Sequence, residues 1–318
     1  MGNKYRITWI SEPKNVADIQ QLRSDISQRL IDVNQSMSTW QHNSEISGFN
    51  RSKAGEITKI SEPFKAVLSE SLRIHGLTAG ALDVTLGPLV KLWGFGPSNH
   101  DYQVPLATEL SSVKAYTGIE HLSINGLSIS KDHDLTELDF SAIAKGFGVD
   151  QVAEILDSHK IKHYLIDIGG EVYGKGHNLK GTPWQIKVEK PTIYIRGLTE
   201  TIPVSNMAVA TSGDYRNKFS QGGGNYSHVI DPNSGQSVRT RISSATVIAE
   251  HCATADGLAT AAMVMGVEKT LALAEQQQLA VMLIENKYDR FVVHKSTAYN
   301  ELQASQYTAS PANKPQGQ

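Results

Sequence analysis

Hydrophobic residues recur at helical spacing soon after the first ten residues, which themselves alternate as a β-strand does. The apolar positions of this first helix are Val16, Ile19, Leu22, Ile26, Leu30 and Val33. A second helix is predicted to begin at Ser61, a good N-cap residue, with Pro63 in its first turn. A third follows Pro105, and a fourth is predicted from about Ala142 to His159.

Short strands separated by glycine-rich turns dominate the second half of the chain. Alternation on both sides of Asn125-Gly126 predicts a hairpin with a two-residue turn. A strand over 135–140 is predicted to lead into the fourth helix, and further short strands are expected between 163 and 250. Helices at about 254–266 and 267–277 precede a closing strand pair. Because strands and helices are partly segregated along the chain, we predict an α+β fold rather than a doubly wound sheet.

Composition narrows the class of protein. The chain has 318 residues, 40% hydrophobic and 19% charged, as globular proteins do. Lys plus Arg is 30 against 32 for Asp plus Glu, and without a basic run no nucleic-acid partner is expected. The single cysteine, Cys252, excludes an internal disulfide and a cysteine-based zinc site. No apolar stretch approaches the roughly 18 residues of a membrane helix, so no transmembrane segment is predicted. We expect a folded domain over 1–302 and a disordered tail over 303–318.

Two segments carry residues suited to binding a phosphate group and a metal ion. Asp139 precedes a turn and a helix start that holds Lys145, and free backbone N–H groups with an ammonium suit an anionic phosphate. Asp256 and Thr260 are four residues apart, so on a helix they share one face and offer hard oxygen ligands for Mg²⁺. The alternatives are a solvated lysine, a carboxylate stabilised by the helix dipole and a threonine packed in the core.

Other candidates are weaker when they are taken one at a time. His228 lies on a short strand before a turn. It is either a base that accepts a proton from an attacking hydroxyl or a histidine with a purely structural role. Asp83 lies on a glycine-rich turn. Trp40 and Trp93 offer aromatic faces to a flat heterocycle, or anchor loops.

Six segments, in this order, resemble the ApbE family of FAD:protein FMN transferases over nearly the whole chain up to the tail. They are MSTWQHNSEISGFN, GALDVTLGPLVKLWGFG, LDFSAIAKGFGVDQVAEIL, YLIDIGGEVYGKG, VATSGDYRN with SHVIDPNSG, and CATADGLATAAMVMG. The resemblance implies a fold of mixed sheets and helices with a FAD site in a cleft between sub-regions.

The family's binding residues carry over by position. The resemblance implies FAD contacts at Met1, Trp40, Ala81, Leu82, Asp83, Asp139, Lys145 and Ile230. It implies Mg²⁺ ligands at the backbone carbonyl of Ala142 and at the side chains of Asp256 and Thr260. Three positions depart from the family pattern: Asn3 replaces a threonine, Trp40 a tyrosine and Leu82 a phenylalanine.

The activity implied by the resemblance is Mg²⁺-dependent transfer of FMN from FAD to a Thr or Ser hydroxyl of an acceptor flavoprotein, with release of AMP. His228 is the candidate general base, and Lys145 would neutralise phosphate charge. Two alternatives stay open: a Mg²⁺-dependent FAD pyrophosphatase, and a FAD-binding protein without turnover.

The family also suggests partners and a location. The acceptors implied are subunits of membrane quinone reductases or related electron-transfer complexes. We expect a periplasmic protein whose precursor is lipid-anchored, with a leader that ends just before Met1; the cytoplasm is the alternative.

Overall fold

The computed structural model describes residues 4–10, 16–97, 102–188, 200–213, 218–221, 223–238, 241–287 and 290–308. The helices are α1 (Val16–Met37), α2 (Glu45–Arg51), α3 (Glu62–Leu77), α4 (Gly87–Leu92), α5 (Ala107–Lys114), α6 (Ala144–Ser158), α7 (Cys252–Gln277) and α8 (Thr297–Thr308). The strands are β1 (Tyr5–Ile10), β2 (Thr58–Lys59), β3 (Leu122–Asn125), β4 (Ser128–Lys131), β5 (His163–Ile168), β6 (Glu171–Lys175), β7 (Trp184–Val188), β8 (Glu200–Val204), β9 (Met207–Gly213), β10 (Lys218–Gln221), β11 (Gly224–Ser227), β12 (Ile242–Ala249), β13 (Ala280–Lys287) and β14 (Arg290–Lys295). The α+β prediction is confirmed.

A seven-stranded antiparallel sheet with the order β1-β5-β6-β9-β12-β13-β14 forms the centre of the fold. Strand β12, which lies inside the sheet between β9 and β13, is almost entirely buried, because both faces of the sheet are covered. Its neighbour β9 pairs with it from Ala208 to Gly213, so the end of β9 lies beside the start of β12. This pairing places the Thr211–Gly213 end of β9 next to the helix layer.

Four helices, α1, α3, α6 and α7, pack over one face of the sheet and enclose the main core. The two inner helices, α6 and α7, approach closely at Gly146. A Cβ atom at Gly146 would lie 2.3 Å from the carbonyl oxygen of Cys252, so only glycine fits there. The first turns of both helices therefore lie side by side.

The opposite face of the sheet is covered by the β7–β8 hairpin and α8. Ile202, Met282 and Tyr299 form part of this second core. The third apolar cluster forms a smaller sub-region, built from α4, α5 and the β10–β11 hairpin around Trp93. Trp93 is fully buried, and its Nε1 donates a hydrogen bond to the Gly235 carbonyl at 2.9 Å.

Several predicted elements are confirmed. Ser61 is the N-cap of α3, and β3 and β4 form the hairpin at Asn125-Gly126. The two helices predicted at 254–266 and 267–277 are the halves of α7, which breaks at Gly266 with φ 80° and ψ 175°.

Other boundaries differ from the prediction. The strand predicted over 135–140 is wrong, because only a one-residue bridge between Leu86 and Glu137 forms there. The helix predicted from about Ala142 begins at Ala144. Helices α2, α4 and α8 were not predicted, and α8 continues to Thr308, beyond the boundary at 302.

One described helix is long and apolar enough to cross a membrane when judged by length and composition alone. This helix is α7, and half of its most apolar window is buried inside the fold. It packs against β9 and β12, so its apolar residues supply the core of the helix layer.

Candidate active site

A cavity of about 460 Å³ lies between the helix layer and the Trp93 sub-region. This volume is in the range of small-molecule sites. The predicted site residues that line it are Ala81, Leu82, Asp83, Asp139, Ala142, Lys145, His228, Ile230 and Thr260. Segments far apart in sequence therefore meet in one cleft, as the resemblance implies.

Helix α7 supplies an acidic wall beside this cavity. Asp256 is only 2% exposed, and its Oδ2 accepts a hydrogen bond from the backbone N–H of Gly146 at 3.0 Å. Thr260 follows one turn later, and its hydroxyl lies 3.2 Å from the Ser212 hydroxyl at the end of β9. The helical spacing puts both oxygen donors on the face of α7 that looks toward α6 and β9.

Lys145, in the first turn of α6, lies between two buried carboxylates. Its Nζ is 3.2 Å from Asp256 Oδ1 and 3.3 Å from Glu171 Oε1. Glu171 opens β6 directly after the Gly169-Gly170 turn and also lines the cavity. Two acids and one ammonium therefore share the floor of the site.

Burial and mutual attraction change the protonation equilibria of all three groups in this trio. Burial, together with the nearby Asp256 carboxylate, raises the pKa of Glu171 above its ordinary value. Burial also raises the pKa of Asp256. Burial alone would lower the pKa of the Lys145 ammonium, but attraction to the two carboxylates raises it above its ordinary value. A further cation at this floor would stabilise both ionised carboxylates.

The junction of α6 and α7 is fixed by one more carboxylate. Asp150 of α6 accepts hydrogen bonds from the first two N–H groups of α7, those of Cys252 at 2.7 Å and Ala253 at 2.9 Å. These N–H groups have no partner within their own helix, so Asp150 caps α7 from a neighbouring helix. The cap fixes α7, with Asp256 and Thr260, relative to the helix that carries Lys145.

The opposite wall of the cavity comes from the smaller sub-region. His228, directly after β11, lines the cavity and lies edge-on to Phe95 at 6.3 Å between ring centroids. Ile230 is 4% exposed and forms a bridge with Ser237. The imidazole therefore lines the cavity with the Phe95 ring packed against it.

Two polar turns complete the lining. Asp83 Oδ1 accepts hydrogen bonds from the Thr85 N–H at 2.8 Å and the Thr85 hydroxyl at 2.6 Å, and burial raises the pKa of Asp83. Asp139 accepts from the Ser141 N–H at 2.7 Å, and its own N–H donates to the Val84 carbonyl at 2.7 Å. The turn before α6 is thus tied to the turn before α4.

The residues present fit Mg²⁺. Mg²⁺ usually takes one or two carboxylates and completes its shell with waters and substrate phosphates. Asp256 offers the carboxylate, Thr260 the hydroxyl and Ala142 a backbone carbonyl beside the cavity. The Asp256 carboxylate is only 2% exposed, and a cation bound to it would offset the cost of burying its charge. No cluster of three or more His, Cys, Asp or Glu side chains suited to a metal occurs within the described ranges, and Mg²⁺ does not need one.

One described residue among the predicted FAD contacts, Trp40, does not line the cavity. Trp40 lies in the turn before α2, is 72% exposed and is not part of the cavity lining, so its assignment stays a prediction. Met1 lies outside the described residues. Sequence reasoning assigned no role to Glu171; the signal available was an acidic residue directly after two glycines at a strand start.

The comparisons with known proteins agree with this geometry. The sequence profile of the ApbE family matches residues 1–283. A FAD:protein FMN transferase from Vibrio cholerae is 46% identical over 299 residues, which cover 94% of this chain and 89% of that protein.

Solved structures show the same likeness. The flavin transferase ApbE from Vibrio cholerae matches with a TM-score of 0.88 at 44% identity, over 95% of this chain and 96% of that chain. The flavinyl transferase ApbE from Pseudomonas stutzeri matches with a TM-score of 0.87 at 35% identity, over 94% and 93% of the two chains. With the profile match across most of its length, this chain belongs to the ApbE family.

Proposed function

We propose that this chain transfers FMN from FAD to the hydroxyl of a threonine or serine in an acceptor protein and releases AMP. The observation that carries the proposal is the arrangement of one cavity: Lys145, Thr260 and His228 all line it, and the buried Asp256 carboxylate lies 3.2 Å from Lys145 Nζ. Phosphoryl transfer needs charge neutralisation on one side of the phosphorus and a proton acceptor on the nucleophile's side. The names of the similar proteins agree with that chemistry.

The acidic floor would hold the metal and the pyrophosphate. Asp256, Thr260 and the Ala142 carbonyl would bind Mg²⁺, which when bound neutralises charge on the phosphates and on the departing AMP. Lys145 adds an ammonium at the start of α6, where the free N–H groups also favour an anion. Together these groups orient the pyrophosphate within the cleft.

His228 would act on the acceptor. Its imidazole takes the proton from the acceptor hydroxyl as that oxygen attacks the phosphorus on the FMN side of FAD. One P–O bond forms to the acceptor oxygen, and the pyrophosphate P–O bond to AMP breaks. The proton on His228 then passes to solvent, so charge and atoms balance.

The cavity also bears on the two alternative functions. A FAD pyrophosphatase would use the same residues, with water in place of the acceptor hydroxyl. A carrier without turnover would need neither the oxygen donors of α7 nor a histidine across the cleft. The geometry therefore favours catalysis over simple binding.

We propose further that the acceptors are subunits of membrane quinone reductases or related electron-transfer complexes, and that the protein works in the periplasm. Both proposals are supported by the family resemblance. Fractionation of cells expressing the full-length gene tests the location: recovery with the cytoplasm would contradict it.

Asp256 offers the most direct test of the metal site. Asp256→Ala removes the side-chain carboxylate on the proposed cation and should lower transfer at least about a hundredfold, since a bound metal supplies several kcal/mol. Asp157→Asn, at the other end of α6 in an exposed pair with Lys175, is the matched control. Full Mg²⁺-dependent transfer by Asp256→Ala would refute the assignment.

A further inference from the structure

Glu171 is the one acid of the cavity floor for which the proposed reaction has no role. It is 3% exposed, and its Oε1 lies 3.3 Å from Lys145 Nζ. Its Oε2 is buried and has no hydrogen-bond partner within the described part of the chain. A buried carboxylate oxygen without a partner costs stability, so its retention in a site points to a use there.

Lys145 and a divalent cation would compete for the same carboxylate. Both Asp256 oxygens lie within 3.4 Å of Lys145 Nζ, at 3.2 and 3.4 Å. A cation bound to Asp256 would repel an ammonium at that distance, especially in a buried site where water screens poorly. Cation binding therefore requires Lys145 to have another place for its charge.

We propose that Glu171 is a positioning residue that takes over the Lys145 ammonium when a divalent cation binds Asp256. The ammonium already lies 3.3 Å from Glu171 Oε1, and Oε2 of the same carboxylate has no hydrogen-bond partner among the described residues, so it can accept a second hydrogen bond. The Lys145 ammonium then remains next to the cavity, where it can bind the phosphates of FAD, instead of turning away from the site. This inference rests on the Mg²⁺ site of the proposed function.

The consequence is measurable without any turnover. Mn²⁺ serves as the probe, and its binding to the full chain, freed of FAD, is followed by electron paramagnetic resonance. Glu171→Gln keeps the size of the side chain and removes its charge, so Lys145 stays with Asp256. The Mn²⁺ dissociation constant should rise about tenfold or more, because the ion pair that would hold the ammonium is replaced by a hydrogen bond to an uncharged amide oxygen.

A double-mutant cycle separates this role from a direct effect on the metal. In the Lys145→Met background there is no ammonium to reposition, so adding Glu171→Gln should raise the dissociation constant by a clearly smaller factor than it does in the wild-type background, through the direct attraction between Glu171 and the cation alone. Glu171→Asp, which keeps the charge, should retain most of the affinity. Glu154→Gln, an exposed residue on α6 paired with Arg29, is the matched control and should leave binding unchanged.

Three results would overturn the inference. Equal losses from Glu171→Gln in both backgrounds would show that Glu171 acts on the cation directly. No loss in either background would show that Lys145 does not depend on Glu171. Failure of the wild-type chain to bind Mn²⁺ at millimolar concentration would leave no cation for which Lys145 must move.

The proposed function is tested separately by FMN transfer from FAD with the wild-type chain. Transfer without coupling in the Mn²⁺ cycle would overturn only the role of Glu171. Coupling without transfer would overturn only the activity.

Discussion

The chemistry of the cleft depends on a few side chains whose surroundings change their properties. Burial raises the pKa of both Asp256 and Glu171 above the values that these side chains have in water. Across the cleft, His228 stands against Phe95. Each wall is therefore suited to one half of a phosphoryl transfer: negative charge is neutralised on one side, and a proton is taken on the other.

His228 should be needed for turnover more than for substrate binding. His228→Gln should lower the rate of transfer about a hundredfold or more, the usual contribution of a general base, and leave the KM for FAD nearly unchanged. Steady-state kinetics with an acceptor domain measures both values. The matched control is His159→Gln at the far end of α6, paired with Asp25, which should retain wild-type rates. A variant at His228 that loses only FAD affinity would contradict the assignment.

Sequence spacing predicted that Asp256 and Thr260 share one helix face and that Lys145 lies at a helix start, whereas their roles as binding residues came from the family resemblance. Glu171 could not be found this way. Its burial arises because β6 lies between β5 and β9 in the sheet and because α6 packs over it, which no local pattern records. The position of Trp40 also depends on tertiary packing, and there the aromatic side chain is exposed.

At the scale of elements, the cross-helix cap of α7 predicts a pH dependence of stability. Burial raises the pKa of Asp150 from 3.8 to about 6. The folded protein therefore binds this proton more tightly than the unfolded chain does, and the contribution of Asp150 to the free energy of unfolding decreases as pH rises from about 4 to about 6. Relative to Asp150→Asn, the wild-type protein should lose roughly 2–3 kcal/mol over that window. Urea unfolding at several pH values measures it, and parallel profiles for the two proteins would contradict the prediction.

The break in α7 at Gly266 predicts that a substitution there lowers the stability of the fold through backbone strain. Gly266 has φ 80° and ψ 175°, a region that is essentially reserved for glycine, and a Cβ there would meet no atom within 4 Å. Gly266→Ala should therefore destabilise the fold by about 1–3 kcal/mol through strain alone. Gly48→Ala, in an open and ordinary helical position of α2, should be neutral or slightly stabilising in the same denaturation experiment. Equal effects at the two positions would contradict this account.

Hairpins and helices with strong local signals were predictable, but the segment 135–140 was not. Its burial does alternate: Thr136, Leu138 and Phe140 are buried, as a strand pattern requires. Its backbone, however, finds a side-chain partner, because Leu138 exchanges hydrogen bonds of 2.8 and 2.9 Å with the amide of Asn50. Periodicity records which side chains are buried, whereas the ladder depends on a neighbouring strand that is absent at this place in the described fold.

For the whole molecule, two parts enclose the cavity. The antiparallel sheet with its helix layer forms one part, and the Trp93 sub-region forms the other. The α+β class followed from the order of strands and helices along the chain. The cleft between the two parts could be expected only from the family resemblance, because the segments that line it run from Ala81 to Val264. Long-range pairings such as β9 with β12 bring them together.

Transfer of FMN from FAD to a defined acceptor is the most direct test of the proposed activity. The protein is mixed with FAD, Mg²⁺ and a small acceptor domain that presents a flavinylation-type threonine, and the acceptor is examined by mass spectrometry and in-gel flavin fluorescence. We expect an acceptor heavier by one FMN less one water, stoichiometric AMP, and no product when EDTA removes the metal. Release of free FMN and AMP at the same rate with or without acceptor, and an unmodified acceptor at the end, would contradict it and identify a pyrophosphatase.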